Sequence, residues 1–195
     1  MTQEASKELD EESRYIKAEL VGSRIIVWDP EQGSQLYAEG FYGKALGIRK
    51  PKSPHFTVPL ELSFLEAKYL LEKKRITLFD SEIGENIDSE TLTKIANRYY
   101  EMFEDNYLVY SDLREREYVV RPGLKFGCDM AVYEQGPGID HSPFLVSAVP
   151  KGTELSPIQL VRAGRLATSV RKRFVIAMIF ENNKIKYYAF SWYKP

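Results

Sequence analysis

What the chain lacks narrows its chemistry first. It has one cysteine, Cys128, so no disulfide can close within it. Its two histidines, His55 and His141, cannot furnish the usual zinc sets of cysteine and histidine ligands, so any metal would need carboxylates. No apolar run approaches the ~20 residues of a membrane-spanning helix, which excludes membrane insertion. The start, Met1 to Arg14, is polar and acidic and lacks the basic and apolar regions of a signal peptide, which predicts a cytoplasmic protein. A charge excess is missing too. Lys plus Arg is 27 against 28 Asp plus Glu, a net charge of −1 that speaks against a generally basic nucleic-acid binder. If nucleic acid is bound, one face must do it.

What is present is the composition of a folded protein: 195 residues, 44% hydrophobic, 13% aromatic and 28% charged. At ~150 residues per domain this is one generous domain or two small ones. Residues 1–14 read as a flexible acidic tail. From Ile16 to Trp28, β-branched runs parted by Gly22 predict two short strands. Gly40, Gly43 and Gly47 break the chain, and Arg49 to His55 carries two prolines and three basic residues in an exposed loop. The leucine spacing after Pro59 predicts a helix with Lys73, Lys74 and Arg75 at its C-terminal end. Asp88 or Ser89 caps a second helix running through Phe103, and Tyr107 to Glu115 reads as a third. Eight acids against Lys94 and Arg98 make Phe79 to Asp105 an acidic outer surface.

The second half changes character. Tyr118–Arg121, Cys128–Tyr133, Phe144–Val149, Phe174–Phe180 and Lys186–Trp192 are short β-type runs, with one helix among them from Ser156 and Pro157 to about Lys172. The boundary falls near Phe103, giving an N-terminal α/β domain over 15–102 and a second domain over 103–195, a central sheet flanked by helices.

Three residues of this half, Tyr133, His141 and Lys172, could serve as base, acid and charge stabiliser. Alternation in the strand puts Tyr133 on its more polar face, with a hydroxyl able to reach solvent. His141 lies in a loop at the entrance to the next strand. Tyr133 as a half-buried strand tyrosine and His141 as a surface histidine is the plainer alternative. The helix adds weight to the chemical reading. Between Arg162 and Arg173 there are five basic residues and no acid. At ~100° per residue, Arg162, Arg165, Ser169 and Lys172 fall within an arc of roughly 80°, opposite an apolar stripe of Leu160, Ala163, Ala167 and Val170. Such a face is either simply solvated or suited to a phosphate backbone. A phenol, an imidazole, an ammonium and an arginine face together suggest RNA cleavage by the RNA's own 2′-hydroxyl, which needs neither metal nor cofactor.

The segments Tyr107–Arg114 (YLVYSDLR), Tyr118–Gly127 (YVVRPGLKFG), Val132–Val146 (VYEQGPGIDHSPFLV), Arg165–Arg173 (RLATSVRKR) and Trp192–Pro195 (WYKP) resemble successive catalytic-domain motifs of the archaeal tRNA-splicing endonucleases. The resemblance implies a restriction-endonuclease-like catalytic domain and cleavage of precursor tRNA at bulge-helix-bulge intron junctions, leaving 2′,3′-cyclic phosphate and 5′-hydroxyl ends. It implies Tyr133 as general base on the 2′-hydroxyl, His141 as general acid to the 5′-oxygen, and Lys172 as transition-state stabiliser. A phenol near pKa ~10 needs nearby positive charge to act as a base at neutral pH. Arg165 matches an arginine that helps sandwich a flipped base. Trp192 stands where some members have the second arginine and could stack instead; core packing is its alternative.

Phe41–Pro54 (FYGKALGIRKPKSP) is similar to the loop-bearing N-terminal region of crenarchaeal-type catalytic subunits, and its exposed basic loop makes Lys50 and Lys52 candidate RNA contacts. Such subunits pair with a smaller non-catalytic subunit in a two-plus-two heterotetramer, a homotetramer being the alternative. Pro150–Ser156 (PKGTELS) matches the family's docking loop, with Glu154 as the candidate contact or else an ordinary solvated glutamate. Two other readings compete. A metal-dependent nuclease would need an acidic pair and a lysine at a strand end, whereas Glu66-x-Lys68 and Glu72-x-Lys74 fall on a predicted helix in the first half. A non-catalytic RNA-binding or structural subunit would make the three polar residues incidental.

Overall fold

The structure, a computed structural model, describes residues 15–139, 144–150, 152–169 and 171–190, without the side chains of 163, 166 and 167. The acidic tail, His141, Val170 and Trp192 lie outside the described residues. The fold is α+β. The chain divides into two compact units between Glu101 and Met102, each built on its own mixed sheet.

The first unit carries a six-stranded sheet in the order β3-β4-β2-β1-β5-β6. β1 (Ile16–Val21) and β2 (Arg24–Val27) form a two-residue hairpin in register Val21 opposite Arg24, with Gly22 at φ 61 supplying the turn. Helix α1 (Pro30–Gly40) follows, which apolar periodicity did not reveal because Leu36 and Tyr37 are its only large buried side chains. Its end signals were nonetheless local: Asp29 accepts from the amides of Glu31 and Gln32, and Pro30 occupies the first turn. β3 (Lys44–Ala45) and β4 (Leu60–Leu62) bracket the exposed residues Arg49, Lys50 and Lys52.

The helix expected from Pro59 starts later, at Phe64. Leu60 and Leu62 belong to a strand instead, paired with Val27 and Ile25 of β2, and both are buried. The switch to helix α2 (Phe64–Glu72) is made by Ser63 and Glu66, whose side chains cap each other's backbone amides. β5 (Ile76–Asp80) then returns parallel to β1, and β6 (Glu85–Ile87) closes the sheet. One member of the expected acidic surface is not on it. Asp80 is 5% exposed, and its carboxylate accepts from the amides of Glu82 and Ile83 in the β5–β6 turn. Helix α3 (Ser89–Ala96) is capped by Asp88, as expected, but stops at Ala96. Tyr99 and Tyr100 beyond it lie against the ring of Phe64. Ile25, Leu36, Leu60, Leu70, Leu78 and Leu92 are essentially inaccessible and form the core; each contributes about 1.5–3 kcal/mol by burial.

The second unit opens with α4 (Phe103–Glu115), four residues earlier than the sequence pattern indicated, followed by β7 (Val119–Pro122), β8 (Met130–Tyr133), β9 (Phe144–Val149), α5 (Pro157–Ser169), β10 (Arg173–Ile179) and β11 (Ile185–Phe190). The sheet order is β11-β10-β9-β8-β7; β9 and β10 run parallel through the α5 crossover and the other pairs are antiparallel. β9 and β10 are buried along almost their whole length, so they read as continuous apolar runs instead of alternating ones. α4 lies on one sheet face, where the Tyr187 hydroxyl donates to Asp112 at 2.6 Å and Arg114 donates to the Val120 carbonyl at 3.3 Å. Leu160 of α5 packs on the opposite face against Ala131, Leu145, Phe174 and Ile176.

Candidate active site

Strand register brings two of the three expected catalytic residues to one end of the second sheet. Val132 in β8 pairs with Phe144 in β9, and Phe144 pairs with Arg173 in β10. One residue further along the same row are Tyr133, the last residue of β8, and Lys172, which immediately precedes β10. Two strand spacings, about 10 Å of backbone, separate them. Tyr133 is half-buried and packs on the face that α5 covers, against the cluster of Cys128, Ala131, Leu145, Val149, Phe174 and Ile176.

Lys172 reaches this place by leaving the helix on which periodicity had put it. α5 ends at Ser169, and Arg171 adopts the left-handed conformation (φ 55) with its amide donating to the Thr168 carbonyl. The chain thereby turns into β10 instead of continuing the helical arc. The half-buried Lys172 extends its ammonium to 5.5 Å from the centroid of the Phe126 ring, and Phe126 packs on the same cluster as Tyr133. The backbones of Tyr133 and Lys172 therefore share an end of the sheet, and Phe126, which the ammonium approaches, packs on the same apolar cluster as the Tyr133 side chain. Sequence reasoning had not singled out Phe126, although the flanking Gly123 and Gly127 signalled a tight turn there.

The remaining expected residues divide by location. Arg162 and Arg165 are exposed three positions apart on α5, and Arg171 and Arg173 are exposed just after it; these two, like Lys172, lie outside the helix. Of the expected apolar stripe, Leu160 packs as anticipated; Val170 and the side chains of Ala163 and Ala167 lie outside the described set. Glu154 is exposed in the β9–α5 connection. Lys50 and Lys52 are exposed in the first unit. His141 stands three positions before Phe144 in sequence.

At the other end of β8 from Tyr133 lie Cys128 and Asp129. Although Asp129 as a residue is exposed, partial desolvation of its carboxyl pushes it above its ordinary value, offset in part by hydrogen bonds from the Ala148 amide and the Ser147 side chain. The neighbouring Cys128 thiol is pushed up to about 11, by burial and then by Asp129, which makes it an inert core sulfur and no nucleophile. Among the described residues no three His, Cys, Asp or Glu side chains gather as a possible metal-binding group, and no helix is long and apolar enough to cross a membrane.

Similarity to known proteins puts this arrangement in a class of RNA-cleaving enzymes. Residues 103–187 match the family described as tRNA intron endonuclease, catalytic C-terminal domain, and residues 16–92 match its N-terminal domain counterpart. A tRNA-splicing endonuclease of Hyperthermus butylicus is 46% identical over 181 residues, 92% of this chain and 99% of the relative. Those of Saccharolobus islandicus and Saccharolobus solfataricus are 41% identical over the same coverage. The chain belongs to the tRNA intron endonuclease family.

Proposed function

We propose that this chain is the catalytic subunit of an endonuclease that cuts precursor tRNA at bulge-helix-bulge intron junctions, with 103–195 as its catalytic domain and 15–102 as its N-terminal domain. Attack by the 2′-hydroxyl on the adjacent phosphorus breaks the P–O5′ bond and leaves a 2′,3′-cyclic phosphate and a 5′-hydroxyl. Tyr133 removes the 2′-proton, His141 supplies a proton to the departing 5′-oxygen, and Lys172 stabilises the charge that builds on the phosphoryl oxygens. The observation that carries this reading is the common row of Tyr133 and Lys172 at one end of the sheet, with the Phe126 ring that the ammonium approaches packed on the same cluster as Tyr133. The ammonium favours the phenolate form that a tyrosine base requires.

The exposed Arg165 provides a contact for RNA beside this end, and Trp192 is proposed to stack on a base. Lys50 and Lys52 are proposed RNA contacts from the N-terminal domain. Glu154 is proposed to dock into a neighbouring subunit, a small non-catalytic partner in a two-plus-two assembly, with a homotetramer as the alternative. The activity is proposed to be cytoplasmic.

Cleavage of an intron-containing precursor tRNA by the purified chain, alone and with a candidate small subunit, tests the reading. Cyclic-phosphate ends formed in excess chelator, and loss of cleavage in Tyr133→Phe, His141→Ala and Lys172→Ala, are the expected results. Inhibition by chelator would favour a metal-dependent nuclease. Parental rates in all three variants would favour a non-catalytic subunit.

A further inference from the structure

We propose that Phe126 is a positioning residue that holds the Lys172 ammonium for the cleavage step; this rests on the reading of Lys172 as the transition-state stabiliser. A lysine is a charge on a flexible four-carbon stem, so something beyond its backbone must fix the ammonium. Register places the Lys172 backbone, one residue before β10, but leaves the four-carbon stem to be placed by side-chain contacts.

The Phe126 ring, by contrast, has a fixed mount. It closes a 3-10 turn, Leu124–Phe126, between β7 and β8. The Phe126 amide donates to the Gly123 carbonyl at 2.7 Å, and Gly127, at φ 63, donates to the Leu124 carbonyl at 3.0 Å. A Cβ added at Gly123 would come within 2.5 Å of Cys128 Sγ and 2.7 Å of both the Cys128 carbonyl oxygen and the Met130 nitrogen, so only glycine permits this approach. The Cys128 thiol donates back to the Gly123 carbonyl at 3.4 Å. Thus tethered, the ring packs on the cluster that also supports Tyr133.

The Lys172 ammonium stands 5.5 Å and the Lys125 ammonium 5.8 Å from the ring centroid. A cation within ~6 Å of an aromatic centroid, over its face, is attracted by the ring quadrupole. A contact with a ring leaves the charge of each ammonium intact, unlike pairing with a carboxylate.

Single-turnover cleavage of an intron-containing precursor tRNA by the assembled enzyme provides the test. Phe126→Leu keeps an apolar side chain and removes the quadrupole; it should slow cleavage roughly tenfold, in keeping with a partly desolvated cation–π contact, while the half-saturating RNA concentration stays within about twofold. Phe126→Tyr, which keeps the ring, should restore the rate. In a Lys172→Ala background the leucine substitution should change the residual rate by less than about twofold. Urea midpoints report on folding, and Phe126→Met replaces Phe126→Leu if the latter unfolds. A parental rate in folded Phe126→Leu or Phe126→Met, or the same loss with and without Lys172, overturns the inference alone. A parental rate in Lys172→Ala overturns the reading of Lys172 and this inference with it.

Discussion

Glu66 is the residue whose removal should damage the first unit most for its size. It is 3% exposed, and its carboxylate accepts from the Gly43 amide at 2.9 Å on Oε1 and from the Ser63 amide and hydroxyl, each at 2.8 Å, on Oε2. One side chain thus ties the start of α2 to the segment entering β3, at the base of the loop that carries Lys50 and Lys52. Glu66→Gln is nearly isosteric, but its amide nitrogen would face the Ser63 amide donor to donor. A hydrogen bond to a charged group contributes about 1.5–3 kcal/mol, and a stranded buried donor costs about 1–3 kcal/mol, so a total near 3 kcal/mol is expected. With an m-value of ~1–3 kcal/mol/M in urea, the unfolding midpoint followed by circular dichroism should fall by about 1 M or more at unchanged m. A fall below about 0.2 M would refute the assignment of Glu66 as the tie between these segments. Gly43→Ala attacks the same tie from the other end. The residue sits at φ 71, and an added Cβ would lie 2.6 Å from Leu60 Cγ and 2.9 Å from the Glu61 carbonyl oxygen, so a comparable fall is expected.

Three further outcomes are expected. Burial raises the Asp112 carboxyl, but hydrogen bonds from Arg116 and Tyr187 outweigh it and hold the group below its ordinary value; its stabilisation is present above the unfolded pKa of ~3.9 and is lost as pH falls through the lower folded value. Tyr187→Phe should therefore destabilise by about 1–2 kcal/mol at pH 7 and progressively less below about pH 4, and equal midpoint shifts at pH 7 and pH 3 would contradict this. Asp129 has the opposite sign: its raised pKa means that stability falls as pH rises from the unfolded value through the folded one. Asp129→Asn, which keeps an acceptor for the Ala148 amide, should raise the urea midpoint at pH 7 and have no effect near pH 3; a lowered midpoint at pH 7 would count against desolvation as the dominant influence. Replacing Lys50 and Lys52 with alanine should reduce cleavage of relaxed-bulge substrates more than of strict ones, and equal losses would argue against a discriminating role for that loop.

Local signals in the sequence determined much of this protein. The Gly22 hairpin, the Asp88 cap and β9 are where the residues put them, because turn chemistry, capping and β-branched runs act within a few positions. The signals that went unread were short or ambiguous. Leu60 and Leu62 suit a strand and a helix equally, and pairing with β2 decided between them. β5 holds too few residues to stand out from the acids around it. Tyr133 and Lys172 could be named from the resemblance, but their placement could not. Their separation of 39 positions along the chain becomes two strand spacings only because β9 pairs antiparallel with β8 and parallel with β10. Tertiary packing likewise brought the Phe126 ring to 5.5 Å from the Lys172 ammonium, a contact that no periodicity encodes. Sequence determines which chemical groups are available and which short elements form; the sheet, through hydrogen-bond register between distant segments, decides which of those groups meet.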